Sequence, residues 1–177
     1  MEKKVTSTIT KGTIIAVILV LFYLVVQLCN LNQSKIVTFS SIFILLGGLV
    51  WSGNLFAKQN DHNVTFGNVF ANSFRVNAMI VIIVLFWTII SMKFIFPNQI
   101  DESINLARKS MEQQGVSDSQ IDASLVMYKK NVIPLTMGGT ILFYAILGAI
   151  GSLIAAAVVK KNPTSSNPFQ DNKPQEL

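Results

Sequence analysis

The sequence predicts an all-α membrane protein with four transmembrane helices. Three observations carry that prediction: four long apolar runs, charged residues at only 13% against 51% hydrophobic, and a mean hydropathy of +0.51. A soluble domain has roughly a quarter of its residues charged. In a chain of 177 residues, four bilayer spans leave no room for a separate catalytic domain. The expected organisation is one membrane domain, 1–161, and a tail, 162–177, whose Pro163, Pro168 and Pro174 amid polar residues predict disorder.

The first run, Thr13–Leu31, has nineteen residues and no formal charge, enough at about 1.5 Å each to cross a core of roughly 30 Å. Lys3, Lys4 and Lys11 precede it and no A-x-A-like cleavage site follows, so it reads as an uncleaved signal anchor. Its single cysteine, Cys29, excludes an intrachain disulfide and reads as a packing residue.

The second run, Ile36–Ala57, follows so closely that the two spans must form a tight antiparallel hairpin. Gly48 and Ser52 make a small-xxx-small step, which lets helix backbones approach closely in lipid.

The third run, Phe66–Phe96, is longer than a bilayer requires. Phe66, Phe70 and Phe74 recur every four residues, with Arg75 beside them, a pattern that suits an interfacial lead-in at 66–75. Residues 76–96 then cross, and Pro97 marks the exit. The fourth span, 132–159, begins around Pro134 and stops at Lys160 and Lys161; Gly148, Ser152 and Ala156 give it a smooth face for a helix crossing, within the chain or between copies.

Between spans three and four, residues 98–131 break the apolar pattern. Ile100, Ile104, Ala107 and Met111 lie on one helix face, and Ile121, Leu125 and Tyr128 repeat the spacing. Gly115 is suited to end the first of these amphipathic helices, and Ser117 with Gln120 three residues later reads as a capping box that starts the second. The expectation is a helical hairpin arm outside the bilayer, standing on the spans or folded onto the membrane surface.

Lysine and arginine distribution orients the chain. With both termini inside, the cytoplasmic side holds eight of the fourteen and the other side six. The arm's five carboxylates offset its own cations, and the terminal clusters adjoin spans directly. Both termini are therefore expected in the cytoplasm and the arm outside. A net charge of +5 comes from such flanking lysines, and no basic stripe with interleaved aromatics suggests nucleic acid.

The order of these features resembles a family of small bacterial membrane proteins known as domain of unknown function 4199. The likeness rests on the basic start, on Thr65-Phe66-Gly67-Asn68-Val69-Phe70, on the charged arm with Met111-Glu112-Gln113-Gln114-Gly115-Val116-Ser117, and on Gly148-Ala149-Ile150-Gly151-Ser152-Leu153-Ile154-Ala155-Ala156-Ala157 before Lys160-Lys161. The resemblance implies a four-helix protein of the bacterial inner membrane and supplies no activity, cofactor or catalytic residue.

Candidate chemistry is sparse. Asp and Glu are absent from all four apolar cores, where ionisable groups would mark a relay or pathway. His62, the single histidine, has only Asp61 near it in sequence, too few ligands for a metal and no partner for a hydrolase triad. No catalytic, cofactor or metal residue is expected. Asn72, Asn77 and other amides would cap and bridge helices, or in a transporter bind a solute near helices broken at Gly47-Gly48 or Gly138-Gly139. The reading is a non-enzymatic interaction or structural protein acting through the arm, with the lipid bilayer and a membrane protein or second copy as partners. The alternative is a subunit of an oligomeric transporter or channel.

Overall fold

A computed structural model of the chain describes residues 6–29, 31 and 34–162. Lys3, Lys4, Asn30, Asn32 and Gln33 between the first two spans, and the tail beyond Asn162 lie outside the described residues. Every regular element among the described residues is helical. Four helices are long and apolar enough to cross a membrane: Thr8–Leu28, Ile36–Gln59, Phe66–Ile95 and Asp118–Val158.

Helix α1, Thr8–Leu28, starts earlier than its apolar run because Ser7 caps it, its hydroxyl accepting from the Thr10 N–H at 3.1 Å. Cys29 follows as its C-cap and is exposed, so it is not the packing residue expected of it. Helix α2, Lys35–Gln59, runs unbroken through Gly47 and Gly48. Its end is closed by Asp61 N–H to Lys58 O (3.3 Å) and His62 N–H to Ala57 O (2.8 Å), with Asp61 at φ +51° in the position glycine usually fills.

Helix α3, Phe66–Ile90, is capped by Thr65, whose Oγ1 accepts from the Asn68 N–H at 3.2 Å. It continues into a π-helical turn, Ser91–Ile95, closed by Phe96 N–H to Ser91 O at 2.7 Å. Pro97 then ends the element and precedes α4, Asn98–Gln113.

Helix α4 stops where expected. Gly115 adopts φ +73°, its N–H bonds Glu112 O (3.0 Å) and the Val116 N–H bonds Met111 O (3.1 Å), closing two of the carbonyls that a helix end leaves unpaired. Helix α5, Asp118–Val158, corrects the boundary expected near 132: the second amphipathic helix and the fourth span are one element of 41 residues, continuous through Pro134 and through Gly138-Gly139. At about 1.5 Å per residue it is roughly 60 Å long, twice a hydrocarbon core. Pro134 withholds one N–H, from Lys130 O, and exposed Lys130 leaves that carbonyl where solvent or headgroups can reach it.

The chain forms two compact units, Met1–Val81 with Tyr144–Leu177, and Ile82–Phe143. In the first, Ile15, Ala16 and Leu19 of α1, Leu45 and Leu49 of α2, Val76 and Ile80 of α3, and Ala155 and Ala156 of α5 are buried. Glycines permit this approach. A Cβ on Gly12 would lie 2.6 Å from Met79 Cβ, one on Gly48 2.9 Å from Ile15, and one on Gly151 2.7 Å from Leu49. In the second unit, Ile121 and Leu125 are the buried centre of the segment that follows the Gly115 turn.

Candidate functional site

Three groupings of side chains stand out. The first is in the second unit, where the Gly115 turn brings α4 and the start of α5 together. Arg108 Nη2 donates to Asp122 Oδ1 at 2.7 Å across the pair, both side chains largely exposed. Ile121 and Leu125 are buried, and Ile100, Ile104, Ala107, Met111 and Tyr128 are half-buried. The residues of the stripe read from the sequence are thus buried or half-buried on these two helices. Leu106, Val126 and Met127, which the periodic reading passed over, are exposed, the last two by 74% and 72%. The Ser117 cap differs from the reciprocal backbone form: its hydroxyl donates to Gln120 Oε1 at 3.1 Å, side chain to side chain.

The second grouping is a buried polar seam in the first unit. Gly53 of α2 faces Val69 and Ser73 of α3 and Ala155 of α5, each closer than an ordinary van der Waals contact to a Cβ placed there (3.1–3.2 Å). Gly148 lies directly against the Asn77 side chain. Asn77 Nδ2 donates to Tyr144 O at 3.0 Å, and the Tyr144 hydroxyl meets that of Tyr23 at 3.5 Å. Ser152 is fully buried and its hydroxyl donates to Gly148 O at 2.6 Å. Ser52 Oγ, Asn72 Nδ2, Ser73 Oγ and Asn77 Oδ1 are buried without a hydrogen-bond partner. Gly148, Ser152 and Ala156 are all buried here, on a face packed within the chain; Gly48 is half-buried against Ile15, and Ser52 is buried. Hydroxyls and amides can hold helices in register, and none of these groups carries a charge at neutral pH.

The third grouping gathers at one end of the first unit. Lys11, expected to face headgroups, is 1% exposed; its ammonium donates to Gln59 Oε1 at 3.1 Å and lies 5.6 Å from the centre of the Phe56 ring. The pairing joins α1 to the last turn of α2, where the helix carbonyls also favour a cation. Lys161 sits 5.6 Å over the Phe66 ring and donates to Ala156 O. Phe70 and Phe74 stack at 5.8 Å, and Phe70 packs on Ala57, Val64, Val69, Ala156 and Val159. Phe66, Phe74 and Arg75 are exposed.

His62, in the loop after α2, is tied to the end of α5. Its Nδ1–H donates to Lys160 O at 2.9 Å, fixing the tautomer, while the Asn162 N–H donates to His62 O (3.0 Å) and Asn162 Nδ2 to Asp61 O (3.2 Å). Two successive left-handed residues, Asp61 and His62, are held by these bonds. No group of three His, Cys, Asp or Glu that could hold a metal occurs among the described residues. The sequence held no local signal for the Lys11 and His62 contacts, which join residues 48 and 98 positions apart.

The sequence model of a family described as "Protein of unknown function (DUF4199)" matches residues 10–161 of the chain. No curated protein and no solved structure matches it. The chain belongs to that family, and with four apolar helices it is a multi-pass membrane protein.

Proposed function

We propose, from that family membership as premise, that the chain is a non-enzymatic component of the bacterial inner membrane, with both termini in the cytoplasm. Its arm, residues 98–131, stands on the other side and docks another protein. The observation that carries this reading is the exposed apolar pair Val126 and Met127 on a segment whose own stripe is already consumed at Ile121 and Leu125. A connection between two spans needs only a few residues. A closed pair of helices with a Gly115 turn, an Arg108–Asp122 ion pair and apolar groups left over exceeds that need.

The test is photo-cross-linking in intact cells from Val126 and Met127, with Leu125 as an internal reference. A discrete protein adduct from the first two, absent at Leu125, is expected, and its mass distinguishes a second copy from another protein. Only lipid or intramolecular products at all three positions would overturn the reading.

A second reading, a subunit of an oligomeric transporter or channel, has the unpartnered Ser52, Asn72, Ser73 and Asn77 atoms in its favour. Against it, the Gly148, Ser152 and Ala156 face that would join copies is occupied within the chain, and α2 and α5 are unbroken at their glycine pairs. Solute flux through reconstituted protein, abolished by Asn77→Leu, would support this alternative.

A further inference from the structure

Helices α1 and α2 leave an apolar groove on their outer side, between Ile14 and Ile18 of one and Ile44, Gly47 and Trp51 of the other. Ile15 against Gly48 forms its floor. Gly47 keeps it open: a Cβ there would meet no protein atom within 4 Å. Polar residues follow on the same helix faces toward one end of the pair. Steps of seven or four residues keep a side chain on nearly the same helix face, so Gly47 leads by seven to Asn54 and Trp51 to Lys58, while Ile14 leads back by seven to Ser7 and by four to Thr10. All four of these polar residues are exposed. The Lys11 to Gln59 hydrogen bond puts Thr10 and Lys58 at the same end of the pair.

Charge selects the occupant. Between Glu2 and Asp61 the sequence contains no carboxylate; at this end of the pair Lys11 and Lys58 are positive, and Asp61, just past the end of α2, is the carboxylate next in sequence to Lys58. Lys11 is spent on Gln59 and Phe56, and Lys58 makes no ion pair among the described residues.

We propose that this groove binds one anionic phospholipid, an acyl chain lying between Ile14, Ile18, Ile44 and Trp51 over Gly47, and the phosphate held by Lys58 with the Asn54 amide and the Thr10 hydroxyl. Within a bilayer an apolar groove gains nothing from leaving water, so the chain is held by van der Waals fit, and the headgroup supplies the selectivity. Trp51, 44% exposed, stands between the two parts.

The test is native mass spectrometry of the full-length protein in detergent, titrated with phosphatidylglycerol or with phosphatidylethanolamine of identical chains. The wild type retains one phosphatidylglycerol saturably and in preference. Lys58→Gln lowers that preference about fivefold, the share one lysine contributes near a membrane surface. Gly47→Leu, whose Cβ meets no protein atom within 4 Å, extends into the groove and reduces retention of both lipids. Ile18→Trp, closing the groove from α1, acts in the same direction. Gly139→Leu, also in open space, binds as wild type. Equal retention of the two lipids by the wild type, or undiminished retention by both groove-filling variants, would overturn the proposal.

Discussion

Replacing Gly148 with alanine probes the buried seam at its tightest point. The new methyl coincides with the Asn77 side chain, which is 2% exposed and donates to Tyr144 O at 3.0 Å. Either Asn77 leaves that bond or α3 and α5 separate. Overpacking costs about 1–3 kcal/mol, and loss of an interhelical hydrogen bond in a membrane about 0.6 kcal/mol. Alanine returns about 0.5–1 kcal/mol as the better helix residue, leaving a net loss of about 2 kcal/mol. The matched reference is Gly138→Ala, where the methyl meets nothing within 4 Å and only the helical gain of about 0.5–1 kcal/mol applies. The two variants should therefore differ by about 2–3 kcal/mol in unfolding by sodium dodecyl sulfate from mixed micelles. Adding Asn77→Ala to Gly148→Ala makes room for the methyl and recovers part of the loss, so the pair is non-additive. Equal stability of Gly148→Ala and Gly138→Ala would refute close packing at this crossing.

Further outcomes follow from the same contacts. Lys11→Met keeps the volume of a buried side chain and removes a buried charge, so stability holds or rises, whereas Gln59→Leu leaves the ammonium without its amide and costs about 1.5–3 kcal/mol in the same assay. Ser73→Ala deletes a buried hydroxyl that makes no bond, and should be neutral or stabilising by about 1 kcal/mol; a clear loss would mean the hydroxyl has an essential partner. In the arm, Gly115→Ala strains a φ of +73° and costs about 1 kcal/mol, visible as local hydrogen exchange around Met111–Ile121. Arg108→Ala, breaking an exposed pair, costs under about 1 kcal/mol, and less at high salt.

What the sequence made legible were the features written in local pattern. Four apolar runs marked the spans, because bilayer thickness sets a minimum length, with every end within about five residues except the start of the fourth. The Gly115 stop was readable because a left-handed C-terminal residue favours glycine, and the stripe through Ile121 and Leu125 because helical period is a local property. The boundary at Pro134 misled, since proline ends helices in water but is accommodated where the carbonyl it strands finds another partner. Three other features depended on distant residues and left no local trace: the inward turn of Lys11 to Gln59, the anchoring of His62 to Lys160, and the assignment of Gly12, Gly53 and Gly151 to close crossings. The small-residue face at Gly148, Ser152 and Ala156 was legible as a contact surface; its partner, Asn77 and its neighbours on α3 and α2, was not.

The claim that the arm stands on the opposite side of the membrane from the termini is tested most directly by impermeant maleimide labelling of intact cells. In a Cys29→Ser background, single cysteines are placed at Ser119 in the arm and at Asn60 in the loop after α2, both exposed. Labelling of Ser119→Cys in intact cells, with Asn60→Cys reacting only after permeabilisation, is the predicted result. The reverse pattern, or an arm cysteine that stays unreactive until the membrane is dissolved, would contradict it.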